Sequence, residues 1–260
     1  MKRIIFSLYR DDLDEHTSVG PEKREAFAKY ADQLNEVKST YANHVGAEYK
    51  LFTPDSNDYD EVQFQKLTMF EELAKNYDEI LYLDYDVIPF RNDSFFDKHD
   101  LNTICAFNLK CELDKQTIAW RNYDRNWHGM DMYSKAQNKR AMLLLHDVGG
   151  KNMCLNTGVV GMNKKMVKKL DLTNRLIEAK ETYDECLTDN LYPPMMSANW
   201  KFNNEVALSY MIDRFELPFT NIGAQWNFIV DNNIPTVSDA CYFLHFVHKR
   251  FEMYFSPPQA

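Results

Sequence analysis

The chain has 260 residues, 45% hydrophobic, 27% charged and 14% aromatic, with only 8 Gly and 9 Pro; this composition excludes a disordered or fibrous protein and can fill a sizeable core. Lys and Arg number 30 against 39 Asp and Glu, a formal net charge of −9, which argues against general nucleic-acid binding, because that affinity needs a basic face. No stretch approaches the roughly 20 apolar residues that span a bilayer, the opening residues lack a leader pattern, and the five cysteines (Cys105, Cys111, Cys154, Cys186, Cys241) are scattered without zinc or disulfide spacing. The expectation is a cytoplasmic protein with buried free thiols.

An apolar run over residues 3–8 stops in the acidic stretch Asp11, Asp12, Asp14 and Glu15, as a buried strand ending in a loop would. Pro21 then opens a segment where Phe27, Tyr30, Leu34, Val37, Tyr41 and Val45 recur every three or four residues, the period of a one-faced helix, closed by Gly46. A short strand is expected over 48–52, a helix over 62–75 and a strand over 79–84. This alternation implies an α/β sheet with ligands at the C-terminal strand ends. Beyond residue 109 the pattern weakens. A polar, aromatic stretch (Trp120, Tyr123, Trp127, Tyr133) leads to a helix over 135–146, a strand over 154–162, helices over 164–180 and 204–215, and a last strand over 241–247. No Gly/Ser/Pro-rich linker appears, so residues 1–260 read as one domain, with an internal boundary near 110.

Asp-x-Asp occurs at 12/14, 58/60 and 84/86. The first two lie in polar loops where solvation explains them. Asp84 and Asp86 instead follow an apolar strand directly, where two like charges repel unless they share a cation or proton. If the chain stays extended there, both carboxylates point to one face.

This segment resembles the DxD motif of GT-A fold glycosyltransferases, which transfer a sugar from a nucleotide-sugar donor. Other segments are similar in order: the stretch from Tyr41 to Tyr49 with Lys66 beyond it, then Asn156-Thr157-Gly158, Asn204-Glu205, Leu217-Pro218 with Trp226-Asn227, and His245 within its apolar run. The resemblance implies a mostly parallel mixed sheet flanked by helices, with residues 1–110 binding nucleotide and 111–260 acceptor. It implies a divalent ion held by Asp84, Asp86 and His245, Mn²⁺ before Mg²⁺ because an imidazole accompanies the carboxylates. Donor contacts would come from Ser7, Leu8, Tyr9, Lys66, Tyr85, Asn156, Thr157, Gly158, Trp226, Asn227 and Lys249, and catalysis from Glu205 and Asn156. The implied activity is hexosyl or pentosyl transfer from a UDP-sugar to a glycan or other hydroxyl acceptor, with retention. Glycogenin-like members continue their histidine as HxxGxxKPW, whereas this chain reads His245-Phe246-Val247-His248-Lys249-Arg250, so the diphosphate contact is Lys249, Arg250 or neither.

Each residue also has a plainer reading. His245 fits a hydrogen-bonded core histidine, Asn156 to Gly158 an ordinary turn, and Glu205 an acid favoured by a helix dipole. Two other functions compete. A haloacid-dehalogenase-type phosphatase would also carry DxD after an apolar strand, but on its first strand and with a later acidic pair that this sequence lacks. A nucleotide- or sugar-binding protein without turnover would keep the same fold.

Overall fold

The computed structural model describes residues 1–12, 20–108, 125–150, 155–188, 202–230 and 240–256. Asp14, Glu15, Cys111, Cys154, Trp120, Tyr123 and the side chains of Trp127 and Tyr133 lie outside the described residues.

Strand β1 (Arg3–Leu8) is buried from Ile4 onward, as a continuous apolar run covered on both faces must be. Helix α1 (Pro21–His44) starts on Pro21, whose fixed φ suits the first turn, and buries Phe27, Tyr30, Leu34, Lys38 and Tyr41 along one stripe. Gly46, at φ 67°, turns the chain into β2 (Glu48–Phe52). Helix α2 (Tyr59–Leu73) is capped by Asp58, whose side chain accepts the Glu61 N–H at 2.9 Å. Strand β3 (Glu79–Leu83) follows, then a turn into the short β4 (Val87–Pro89), α3 (Phe95–Lys98) and β5 (Ile104–Asn108). The second half supplies α4 (Arg125–Leu144), β6 (Leu155–Asn163), α5 (Lys164–Leu170), α6 (Leu172–Thr188) and α7 (Asn204–Arg214). Last come β7 (Phe219–Asn221), a 3₁₀ turn (Ala224–Trp226), β8 (Phe228–Ile229), β9 (Phe243–His245) and α8 (Glu252–Phe255).

Six strands form one sheet in the order β2-β1-β3-β6-β5-β7. Only β6 runs against its neighbours β3 and β5; the other pairs are parallel. The fold class expected from the sequence, a mixed and mostly parallel α/β sheet flanked by helices, is the one observed. The chain leaves β1 for β2 on one side and returns to β3 on the other, so the ends of β1 and β3 form a switch point open to ligands. Helices α2, α5 and α7 pack on one face around Phe6, Phe70, Tyr82, Val160, Met166 and Leu208. Residues Ile5, Tyr41, Leu81, Phe95 and Phe243 fill the other face.

Two expectations need correcting. The helix expected over 164–180 is two helices, broken at Asp171, which takes φ 47° and is held by Asn174 Nδ2 bonding its carboxylate at 2.9 and 3.1 Å. The last strand, expected over 241–247, is only three residues long and belongs to a second, three-stranded sheet, β4-β9-β8. That sheet carries His245 to the site. Among the described residues no helix is long and apolar enough to cross a membrane, and Cys105, Cys186 and Cys241 are buried.

Candidate active site

The C-terminal end of β3 delivers Asp84 and Asp86. The chain does not stay extended there: the Val87 N–H donates to the Asp84 carbonyl at 2.9 Å, closing a turn that brings the carboxylates together. The turn is pinned from four sides. Asp84 N–H donates to Gly158 O at 2.8 Å, Ser7 Oγ to Leu83 O at 2.7 Å, Phe246 N–H to Asp86 O at 3.0 Å and Lys38 Nζ to Tyr85 O at 2.8 Å. Pairing of β4 with β9 sets Val87 opposite His245, which places the imidazole beside both acids.

His245 Nε2 lies 3.4 Å from Asp86 Oδ2 and 3.9 Å from Asp84 Oδ2, and the three side chains offer ligand atoms within 4.8 Å of one another. His245 Nδ1 faces Asn227 Oδ1 at 2.9 Å. An amide oxygen accepts only, so Nδ1 carries a proton there, and Nε2 is the ring nitrogen turned toward the carboxylates. Two carboxylates converging on one imidazole nitrogen are an arrangement that suits a divalent cation such as Mn²⁺ or Mg²⁺. The residues present therefore fit such an ion.

Two ammonium groups flank the acids. Lys66 Nζ, on α2, is 3.3 Å from Asp84 Oδ1, and Lys249 Nζ bonds Asp86 Oδ2. Tyr82 donates its hydroxyl to Asp84 Oδ1 at 2.5 Å. Burial alone would raise the Asp86 carboxyl; Lys249 and His245 outweigh it and hold the group well below the usual carboxylate range. Lys249 has φ 60°, a left-handed conformation unusual outside glycine, while Arg250 is exposed.

Beside this cluster, the start of β6 meets the start of α7. The Thr157 N–H donates to Glu205 Oε1 at 3.2 Å, Glu205 Oε2 pairs with Lys135 Nζ of α4, and Asn204 Nδ2 donates to Thr157 Oγ1 at 2.6 Å. Gly158 lets β6 approach His245: a Cβ there would lie 2.5 Å from the ring Cε1 and 2.7 Å from Nδ1.

The structure thus brings Asp84, Asp86, His245, Lys66 and Lys249 into one cluster, with Asn156, Thr157, Gly158 and Asn227 adjoining it. Tyr9 stacks on Tyr85 at 4.5 Å between ring centroids, at the mouth of the β1–β3 crevice. Ser7 and Leu8 are buried, the Ser7 hydroxyl taken up by Leu83 O. Trp226 lies in the core, stacked on Tyr242 at 4.1 Å. Lys38, Tyr82 and Lys135 do not stand out in the sequence as site residues. Lys38 carries a signal, a lysine inside the apolar stripe between Leu34 and Tyr41; Tyr82 and Lys135 carry none, because only tertiary packing brings them to Asp84 and Glu205.

An acid–acid–histidine cluster at the switch point of such a sheet, flanked by Lys66 and Lys249, is a candidate active site whose residues suit a divalent ion and an anionic substrate. The sequence profile of glycosyl transferase family 8 matches residues 13–212. The chain belongs to that family and is a glycosyltransferase. The match removes the phosphatase alternative. Among proteins of curated function none matches the chain in sequence. Among solved structures, the chain is similar to a glycosyltransferase involved in glycosylating the major capsid of PBCV-1, at 14% identity and TM-score 0.49, covering 95% of this chain and 93% of that one. It is also similar to the galactosyltransferase LgtC in complex with donor and acceptor sugar analogues, at 14% identity and TM-score 0.47, covering 94% of this chain and 86% of that one.

Proposed function

We propose that the protein transfers a sugar from a UDP-sugar, with Mn²⁺ or Mg²⁺ at Asp84, Asp86 and His245, to a hydroxyl acceptor such as a glycan, with retention at the anomeric carbon. The observation that carries this reading is the convergence of the two carboxylates with the Nε2 side of one imidazole. Breaking a sugar–phosphate bond builds negative charge on the nucleoside diphosphate, and a divalent ion offsets it. Lys66 would add positive charge to a phosphate or meet the sugar, and Lys249 would add charge to the diphosphate; their contacts with Asp84 and Asp86 support that reading. Tyr9 and Tyr85, at the crevice, would meet the base, with Ser7 and Leu8 behind them.

Asn156 and Glu205 would meet the donor sugar and the incoming hydroxyl. Both Glu205 oxygens are already engaged by protein groups, the Thr157 N–H and Lys135, rather than turned to an incoming hydroxyl. That favours retention, where the leaving phosphate takes the acceptor's proton, and leaves Glu205 to stabilise positive charge at the anomeric carbon. The reading treats residues 1–260 as one domain, with nucleotide bound by 1–110 and acceptor by 111–260; one sheet drawing strands from both halves supports it. The setting expected from the sequence is cytoplasmic.

A thermal-shift panel of nucleoside diphosphates and their sugar conjugates, with and without Mn²⁺, tests the proposal, since a ligand of the folded state alone raises Tm. A shift with UDP and UDP-sugars that needs Mn²⁺ is expected. No shift with any nucleotide would overturn it, and binding without donor hydrolysis or transfer would leave a binding protein.

A further inference from the structure

We propose that Asn227 is a positioning residue that fixes the tautomer of His245 and ties this metal ligand to Asn156, the donor-sugar contact; the proposal rests on the metal-dependent reading above. Resemblance places Asn227 among the donor-binding residues, yet it is 0% exposed. Both ends of its amide are engaged inside the protein. Asn227 Nδ2 donates to Asn156 Oδ1 at 2.7 Å, and Asn227 Oδ1 faces His245 Nδ1 at 2.9 Å.

The direction of this chain of bonds is forced from one end. The Gly158 backbone N–H, a donor whose identity is not open to an amide flip, bonds Asn156 Oδ1 at 3.0 Å. Asn156 therefore presents its oxygen, so Asn227 must present its NH₂ group there and its oxygen to the imidazole. In the neutral ring the proton of His245 is then held on Nδ1, and the Nε2 lone pair is the side presented to Asp84 and Asp86. A neutral imidazole left to itself prefers the proton on Nε2. In that tautomer the ring would donate a hydrogen bond to Asp86, 3.4 Å away, and offer no lone pair to a cation. Metal-ligating histidines are held in this way by the partner of their other nitrogen.

The same bonds restrict Asn156. Its oxygen already accepts from Gly158 and Asn227, so what it has left for a ligand is the Nδ2 donor, suited to the oxygen of a sugar hydroxyl. Donor sugar and metal ligand thus hang on one amide. A buried asparagine that merely satisfied a core histidine would affect stability without changing metal affinity.

The test uses the full chain and Mn²⁺ alone, read by the electron paramagnetic resonance signal of the free ion, in wild type, Asn227→Ala, Asn227→Asp and Asp86→Ala. Asp86→Ala should lose binding, and Asn227→Ala should raise the Kd about 10- to 100-fold, the range for lost outer partners of metal ligands. Asn227→Asp, which keeps an acceptor for Nδ1–H but loses the donor to Asn156 Oδ1, should bind Mn²⁺ more tightly than Asn227→Ala. Independently, ¹⁵N NMR of wild type should show the neutral His245 ring protonated on Nδ1. Protonation on Nε2, or Asn227→Ala binding Mn²⁺ as wild type does while Asp86→Ala does not, would overturn the inference and leave the metal site standing. Wild type binding no Mn²⁺, or Asp86→Ala binding it equally well, would overturn the metal reading and the inference together. Should Asn227→Ala not fold, the wild-type NMR and Asn227→Asp decide.

Discussion

Lys249 and Asp86, 163 residues apart, are joined by an ion pair between Nζ and Oδ2 in the cluster that would hold a cation. The ammonium thus competes with a metal for the carboxylate, and the metal must displace it. Once displaced, the ammonium is free to meet a phosphate. Lys249→Met is therefore expected to act in opposite directions on two ligands. Mn²⁺ alone should bind more tightly, since a hydrogen bond to a charged group contributes about 1.5–3 kcal/mol and its removal frees Asp86. UDP in the presence of Mn²⁺ should bind more weakly. Titration calorimetry reads both; shifts of the same sign would refute the competition.

Gly158 is the second lever on the site. An added Cβ would sit 2.5 Å from His245 Cε1, 2.7 Å from Nδ1 and 3.0 Å from Asn156 Oδ1. The ring is fully packed and 3% exposed, so it can yield only by leaving the carboxylates. Gly158→Ala should lower stability by about 1–3 kcal/mol, the usual cost of overpacking, and weaken Mn²⁺ binding by more than that loss of folded protein explains. Unfolding curves and metal titrations on the same preparation separate the two effects. Unaltered Mn²⁺ affinity would mean that the backbone shifts instead of the ring.

Much of this site is legible in the amino-acid sequence. Asp84 and Asp86 stand out because a strand of apolar residues runs straight into them, a context the other two DxD pairs lack. How they converge is not legible, since an extended chain and a turn carry the same residues; the turn depends on Gly158 O, Ser7 Oγ and Lys38 reaching in from elsewhere. His245 can be suspected from its apolar run, but its partner Asn227 lies 18 residues away across a sheet too short to show periodicity. The break at Asp171 escapes for another reason. No Gly or Pro marks it, and a left-handed aspartate held by Asn174 makes the turn instead.

Glu205 tests the retaining reading. Its two oxygens hold the Thr157 N–H and Lys135 Nζ. Glu205→Gln keeps an acceptor for Thr157 but removes both the charge and the acceptor that faces Lys135. Turnover should fall at least about tenfold while UDP-sugar affinity stays near wild type, because a charge that stabilises the anomeric carbon matters in the transition state and little in the ground state. The ratio of kcat to the donor Kd reads this directly. Unchanged kcat would make Glu205 a brace between β6 and α7; equal losses in kcat and donor binding would make it a ground-state contact.

Lys38 predicts how stability varies with pH. It is wholly buried in α1, its Nζ bonded to Tyr85 O, and desolvation pushes its pKa down from 10.5 to about 7, with Asp86 and Asp84 opposing the fall. A folded pKa below the unfolded one means that between about pH 7 and 10.5 the unfolded chain holds a proton the folded chain has released. Stability from this group therefore rises with pH through that window, by up to roughly 1.4 kcal/mol per unit. Below pH 7 the full cost of a buried charge is present. Lys38→Met keeps the length of the side chain without the charge, so the difference in unfolding free energy between variant and wild type should move steadily in favour of wild type from pH 7 to pH 9. The absolute difference also contains the lost bond to Tyr85 O, but that contribution has no pH trend of its own. Urea unfolding at pH 7, 8 and 9 measures the trend. A constant difference would mean that Lys38 stays charged throughout, held by Tyr85 O and the two aspartates, and that the carboxylate cluster sits over a permanent buried cation.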